Sequence, residues 1–151
     1  MIGDLRHEKY ATDQPAVITK HAPRIRDKSM QIAVTGATGF LGRHILQKLI
    51  AEGHTCRCWW RKKNGKTAPP PHPSLEWIEG DLRNQESHAE LITGCDALVH
   101  AALYRAPGFT SFRGGEGQLS TFAEINLLGS IRLFEAALSV KDFRVVFVST
   151  C

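Results

Sequence analysis

No stretch of this chain is apolar over the roughly 18–20 residues that a membrane-spanning helix needs. The first 29 residues also lack the apolar centre of a secretory signal. Neither a membrane partner nor secretion is expected, and a cytoplasmic location is. Metal-binding patterns are missing as well. Cys56 and Cys58 stand close together, but no second cysteine pair and no spaced histidine pair accompanies them, Cys95 or Cys151. Zinc is therefore not expected, and reduced, packed thiols in a cytosolic protein are the simpler reading. No module of interleaved basic and aromatic residues marks a nucleic-acid binder, so nucleic acid is not an expected partner. The formal net charge of +4 permits an anionic ligand without demanding one. Between Gly53 and Leu75 there is no acidic residue at all. The basic run of Arg61, Lys62, Lys63 and Lys66 falls inside that interval, and it reads equally well as a solvated loop.

What is present is an alternation of strand-like and helix-like segments. Residues 1–29 show no sustained period, are punctuated by Pro15 and Pro23, and read as a flexible N-terminal extension. That extension is either an artefact of start-codon choice or a short partner-binding tail, since Met30 stands directly before the first strand. From there, strands are expected at Gln31–Thr35, Thr55–Trp60, Leu75–Glu79, Ala97–Ala101 and Arg144–Ser149. Helices are expected at Phe40–Ala51, Gln85–Ile92 and Phe122–Ser139. Leu41, Ile45 and Leu49 form the apolar stripe of the first helix, and Leu127, Ile131, Phe134 and Leu138 that of the last. Gly53 fits the left-handed residue that ends a helix. Pro69, Pro70, Pro71 and Pro73 hold the loop at Asn64–Ser74 extended. Such alternation implies an α/β fold, a Rossmann-type doubly wound parallel sheet over residues 30–151, truncated after the fifth strand.

Residues 35–42 read T-G-A-T-G-F-L-G. The three glycines lie between the first strand and the first helix. Gly36 suits the tight turn that leaves the strand, Gly39 a close backbone approach to a ligand, and Gly42 close packing of the helix. The helix N-terminus offers free N–H groups and a positive dipole end, which suit a pyrophosphate. No Gly-Lys-Ser/Thr follows this triplet, so a mononucleotide phosphate loop is excluded, and a dinucleotide is the leading ligand. NAD sites carry an acid at the end of the second strand to bond the ribose 2′-hydroxyl. That position falls near Trp60, where the acid is missing and Arg61, Lys62 and Lys63 follow. An Arg fork binds a 2′-phosphate in two-point fashion, so NADP is expected over NAD, with Arg61 as first choice and Arg43 as second.

The stretch Thr35–Gly42 resembles the cofactor motif of the extended short-chain dehydrogenases/reductases. These are the nucleotide-sugar epimerases, dehydratases and dihydroflavonol-reductase-like enzymes. Gly80-Asp81-Leu82, His100-Ala101-Ala102, Asn126-Leu-Leu-Gly129 and Val148-Ser149-Thr150 agree with it in order and spacing. The resemblance implies cofactor contacts from Gly36, Ala37, Thr38, Gly39, Phe40, Leu41, Gly42 and Arg43. It implies an adenine contact from Asp81 beside Leu82, and cofactor-lining backbone at His100, Ala101 and Ala102. It also implies that Asn126 supports the active-site backbone and that Thr150 is the catalytic hydroxyl.

One departure from that family is plain. Its catalytic Tyr-x-x-x-Lys is absent. The two tyrosines, Tyr10 and Tyr104, are followed four residues on by Gln14 and Gly108. That Tyr moves the hydroxyl proton and the Lys lowers its pKa. The expected function is the cofactor-binding portion of an NADP-dependent oxidoreductase or epimerase-like enzyme, a fragment acting on a hydroxyl or carbonyl of a small-molecule substrate in the full-length enzyme. The alternative is a non-catalytic dinucleotide-binding sensor or scaffold. The loop Leu103–Ser120 lies on the ligand side of the sheet, with Arg105 or Arg113 facing an anionic substrate group, or it is packing and solvent surface. The fifth strand is an incompletely covered flank, which favours self-association, as a homodimer for example.

Overall fold

The computed structural model describes residues 29–62, 67–105 and 119–149. The expectations that fall on residues 1–28, on Lys63 and Lys66, on Arg113 and on Thr150 lie outside the described residues.

Strand β1 (Gln31–Thr35) is buried at every position after its first, as an apolar run in the middle of a parallel sheet must be. It pairs in parallel with β2 (Thr55–Trp60) on one side and β4 (Ala97–His100) on the other. β3 (Leu75–Glu79) continues the sheet beyond β2, and β5 (Arg144–Phe147) continues it beyond β4. The order is β3-β2-β1-β4-β5, all parallel. The chain thus steps outward from β1 to one edge, returns, and steps outward to the other. That reversal opens a crevice at the carboxyl ends of β1 and β4.

Helix α1 (Phe40–Ala51) covers one face, over a core of Ile32, Val34, Ala37, Leu46, Cys56 and Cys58. It ends as expected. Gly53 has φ +84°, its N–H bonds the carbonyl of Ile50, and the His54 N–H reaches back to Leu49. Helix α2 (Gln85–Ile92) covers the other face, its first turn capped by the Asn84 side chain accepting from the Glu86 N–H at 3.1 Å. Behind β4 runs a composite helix: α3 (Leu119–Ala123), a π-helical turn (Glu124–Leu128) and α4 (Gly129–Leu138). Leu133 and Ala137 join Leu91, Ile92 and Leu98 in the second core. Cys56, Cys58 and Cys95 are free buried thiols, and burial pushes Cys56 and Cys95 up to about 11. Among the described residues no helix is long and apolar enough to cross a membrane, and no group of side chains could hold a metal ion.

Two expected stripes need correcting. In α1 the buried positions are Gly42 and Leu46, whereas Leu41 is exposed. In the composite helix Leu127, Ile131 and Leu138 are exposed, Leu138 at 84%. The residues facing the sheet are instead Ile125, Gly129, Ser130, Leu133 and Ala137. The reason is close approach. A Cβ on Gly129 would sit 2.7 Å from the Leu82 carbonyl oxygen, so only small residues let this helix lie against the Gly80–Leu82 turn. The larger apolar residues are left on the outer side. β5 has all four residues exposed.

Candidate dinucleotide site

A cavity of about 430 Å³ opens at the carboxyl ends of the strands. Its first wall is the turn after β1, with Gly36, Thr38, Gly39 and Phe40. Gly36 adopts φ +72°, and a Cβ there would meet the Ala101 carbonyl oxygen at 2.5 Å. A side chain at that position is excluded twice, by its backbone angle and by its neighbour. The Gly39 N–H closes the turn onto the Gly36 carbonyl at 2.9 Å. Helix α1 begins there with no side-chain cap and no acid in its first turn. Its dipole and first N–H groups are thus uncompensated by any side chain, the condition a bound pyrophosphate satisfies.

The second wall comes from β2 and the turn after β3. Trp59, Arg61, Gly80, Asp81, Leu82 and Arg83 line it. The indole of Trp59 donates to the Ser87 carbonyl at 3.3 Å and packs against His88 with ring centroids 5.3 Å apart. Asp81 does not face the cavity as a lone carboxylate. Its Oδ2 lies 2.7 Å from Arg83 Nη2, and its Oδ1 accepts the Arg83 N–H at 2.8 Å. Burial works to raise the Asp81 pKa. The hydrogen bonds and charge of Arg83, with the charge of Arg61 behind them, outweigh it and hold the carboxyl below its ordinary value.

The third wall is Ala101, Ala102, Leu103, Tyr104 and Arg105, with Ile125 from the helix behind. Asn126 clamps Tyr104. Its Oδ1 accepts the Tyr104 N–H at 2.7 Å, and its Nδ2 donates to the Tyr104 carbonyl at 3.0 Å and to that of Phe122 at 3.1 Å. The side chain therefore stands in for a backbone partner along an otherwise irregular segment.

Of the residues expected to touch the cofactor, Gly36, Thr38, Gly39, Phe40, Arg61, Asp81, Leu82, Ala101 and Ala102 line this cavity. Five do not. Ala37 is buried in the core, and Gly42 lies beneath the turn, where a Cβ would overlap the Gly36 carbonyl. Leu41 and Arg43 are exposed on the helix, away from the cavity wall. His100 is fully buried behind it. Trp59, Arg83 and Ile125 line it without having been singled out. Arg83 alone carried a local signal, since an acid followed two residues later by a base can close on itself in a turn.

A parallel sheet in this order, with a glycine turn and an uncapped helix at its switch point, defines a dinucleotide-binding α/β unit. The residues fit such a group, because the α1 N-terminus at Gly39 has no side-chain cap and no acid in its first turn and opens on the cavity. Residues 32–151 match the model of the NAD dependent epimerase/dehydratase family, and the chain belongs to that family. It is 34% identical over 121 residues to the 4-hydroxy-2-methyl-3-oxo-4-farnesyl-3,4-dihydroquinoline-1-oxide ketoreductase of Stigmatella aurantiaca, covering 80% of this chain and 34% of that one. It is 31% identical to sterol demethylase protein B of Methylococcus capsulatus, with 80% and 34% covered. Among solved structures, a mutant uronate dehydrogenase of Agrobacterium tumefaciens complexed with NAD superposes with a TM-score of 0.63. It has 25% identity, and 82% of this chain and 42% of that one are covered. The chain spans about a third of the length of the curated relatives it matches.

Proposed function

We propose that these residues bind NADP in preference to NAD, as the dinucleotide-holding part of an oxidoreductase acting on a hydroxyl or carbonyl of a small molecule. One observation carries the preference. The charged side chain that β2 delivers to the cavity is Arg61, and no carboxylate follows it before Glu76. Asp81, the carboxylate on the neighbouring turn, is held by Arg83. A 2′-phosphate would meet a guanidinium there, whereas a 2′-hydroxyl would lack its acidic acceptor.

When bound, the dinucleotide would supply hydride transfer. The chain's own groups would hold it. The α1 N-terminus would take the pyrophosphate, the walls at Trp59 and Leu82 the adenine side, and the Asn126 clamp would fix the backbone beside Tyr104. Titrating NADPH and NADH into the wild-type chain and into Arg61→Ala tests the preference. A lost charge-assisted contact is worth about 1.5–3 kcal/mol, so Arg61→Ala should weaken NADPH roughly ten- to a hundredfold and leave NADH nearly unchanged. Equal wild-type affinities for the two would refute the preference.

A second reading is a dinucleotide-binding sensor or scaffold, which would hold the cofactor without turning over a substrate. It is tested by following NADPH absorbance with aldehydes, ketones and nucleotide sugars. Turnover by the 151-residue chain would refute that reading.

A further inference from the structure

Behind the cavity a file of buried polar groups joins β1 to the composite helix. Thr35 Oγ1 stands 2.5 Å from His100 Nδ1, and His100 Nε2 stands 2.8 Å from Ser130 Oγ. All three side chains are buried, Thr35 and His100 completely. At one end the Ala102 N–H donates to Thr35 Oγ1 at 3.2 Å. At the other, the Ser130 hydroxyl donates to the backbone carbonyl of Asn126.

The two ends fix the direction of every hydrogen between them. A carbonyl carries no hydrogen, so the single hydrogen of Ser130 goes to Asn126. Ser130 Oγ must then accept, and the donor is His100 Nε2–H. With its hydrogen on Nε2, neutral His100 has a bare Nδ1. That nitrogen accepts the Thr35 hydroxyl hydrogen, and Thr35 Oγ1 in turn accepts from Ala102. Each hydrogen is used once, and one tautomer alone satisfies the file. A proton added to Nδ1 would face the Thr35 hydroxyl hydrogen and break it. Phe134 from α4 and Phe147 from β5 flank the imidazole with centroids 5.6 and 5.4 Å away. The charge acting on the ring is that of His88 from α2, and burial together with that charge lowers His100 to about 4.

Both ends of the file touch the site. Ala102 lines the cavity and packs on Gly36, where a Cβ would come within 2.7 Å of the Ala102 nitrogen. Asn126 holds Tyr104, which lines the cavity on the side away from the glycine turn. Ser130 stands one turn after Asn126, just beyond the π-helical segment that carries it.

We propose that His100 is a positioning residue. Neutral, with its hydrogen on Nε2, it ties the glycine turn to the Asn126–Tyr104 clamp, so that binding at one wall depends on the geometry of the other. The proposal rests on the dinucleotide reading above. It makes Ser130, which has no contact with the cavity, a determinant of dinucleotide affinity.

Two measurements test it. The first needs no substitution: nitrogen–proton correlation spectra of the imidazoles in the labelled wild-type chain. His100 should show the Nε2–H form and no titration from pH 8 down to about 5. An Nδ1–H form, or titration near the ordinary histidine value, would overturn the proposal. The second is NADPH titration of Ser130→Ala, Thr35→Val and the double variant at neutral pH. Each single change should weaken binding about fivefold or more, the scale of coupling between sites, and the double change should weaken it no further than the worse single one, since both cut one file. Wild-type affinity in Ser130→Ala, or effects that multiply, would overturn it. Failure of the wild-type chain to bind either NADPH or NADH would overturn both this proposal and the dinucleotide reading. Failure confined to the Ser130 arm would overturn the coupling alone.

Discussion

Three glycines separate the two reasons for which a chain uses that residue. Gly53 has φ +84° and no atom within 4 Å of a notional Cβ, so alanine there meets backbone strain without a clash. Gly42 lies inside α1 in helical backbone, yet a Cβ would overlap the Gly36 carbonyl, so alanine meets a clash without strain. Gly36 carries both penalties. The left-handed conformation costs an alanine about 1–2 kcal/mol, which is the expected loss for Gly53→Ala. At Gly42 two effects compete. Helix propensity favours alanine by about 0.8–1 kcal/mol, whereas forcing a methyl into a packed site costs typically 1–3 kcal/mol. The atoms it would strike are backbone atoms of the turn, which cannot rotate aside, so the upper half of that range applies and the net loss should be about 1–2 kcal/mol.

The functional consequences diverge. Gly53→Ala leaves the cavity untouched and should bind NADPH like the wild type. Gly42→Ala displaces the turn that Gly36, Thr38 and Gly39 bring to the cavity, and should lose NADPH by tenfold or more, the equivalent of about 1.4 kcal/mol. Gly36→Ala should lose most on both counts. Urea unfolding gives the stabilities and NADPH fluorescence the affinities. A Gly42→Ala chain that is stabilised by its helix propensity and binds NADPH normally would refute the close-packing account of the turn.

Acid should destabilise the fold well above the carboxylate range. Burial, then the charge of His88, lowers His100 from 6.5 to about 4, so the unfolded chain takes up a proton first as pH falls, and stability on the order of 3 kcal/mol should be lost between those two values. His88, lowered chiefly by burial, acts in the same direction, and a flat urea midpoint from pH 7 to 5 would refute the buried neutral imidazole. Asn126→Ala takes the side-chain acceptor from the Tyr104 N–H and one donor each from the Tyr104 and Phe122 carbonyls; a loss of about 1–3 kcal/mol and faster amide exchange at Tyr104 are expected, read by urea unfolding and hydrogen exchange. A chain beginning at Met30 should unfold within about a degree or two of the whole chain, because what it forfeits among the described residues is one exposed hydrogen bond from Ser29 to the Gly53 carbonyl; a drop of many degrees in a thermal melt would show that residues 1–29 pack on the domain.

The parallel doubly wound sheet was legible because strand and helix periods alternate and turn chemistry punctuates them. Gly53 and Asn84 stop and start helices through interactions of a few neighbouring residues, and such interactions are written locally. The packing stripes were legible only in part, since Leu49 and Phe134 do pack against the cores. Hydrophobicity favoured Leu127, Ile131 and Leu138 as core, yet the fold selects Gly129, Ser130 and Ala137 because the helix must approach the Leu82 carbonyl. Size, not apolarity, decides a close contact, and the partner in that contact lies about fifty residues away. The π-helical turn at Glu124–Leu128 was not legible either. It lies where the Asn126 side chain bonds the backbone of Phe122 and Tyr104. Trp59 and Ile125 escaped notice as cavity residues because a strand residue and a helix residue become neighbours of one space only after the sheet has formed.

The charge on the cavity wall follows from where the strands end. β2 runs out at Trp60 and hands the rim to Arg61, while β3 runs out at Glu79 and hands it to Gly80 and Asp81. Had Asp81 stood alone, the two neighbouring rims would have offered one cation and one anion, with no preference between a 2′-hydroxyl and a 2′-phosphate. Arg83 removes that balance. It binds both oxygens of Asp81 through its side chain and its own N–H, so the carboxylate stays ionised but is already neutralised locally. The cations on the cavity wall without a carboxylate of their own among its lining residues are then Arg61 and, on the third wall, Arg105. On the proposed reading, Arg83 would act on the preference through Asp81, from its own place on the cavity wall. Arg83→Ala should free Asp81 and shift affinity away from NADPH, and Asp81→Asn alone should leave it cationic and keep it.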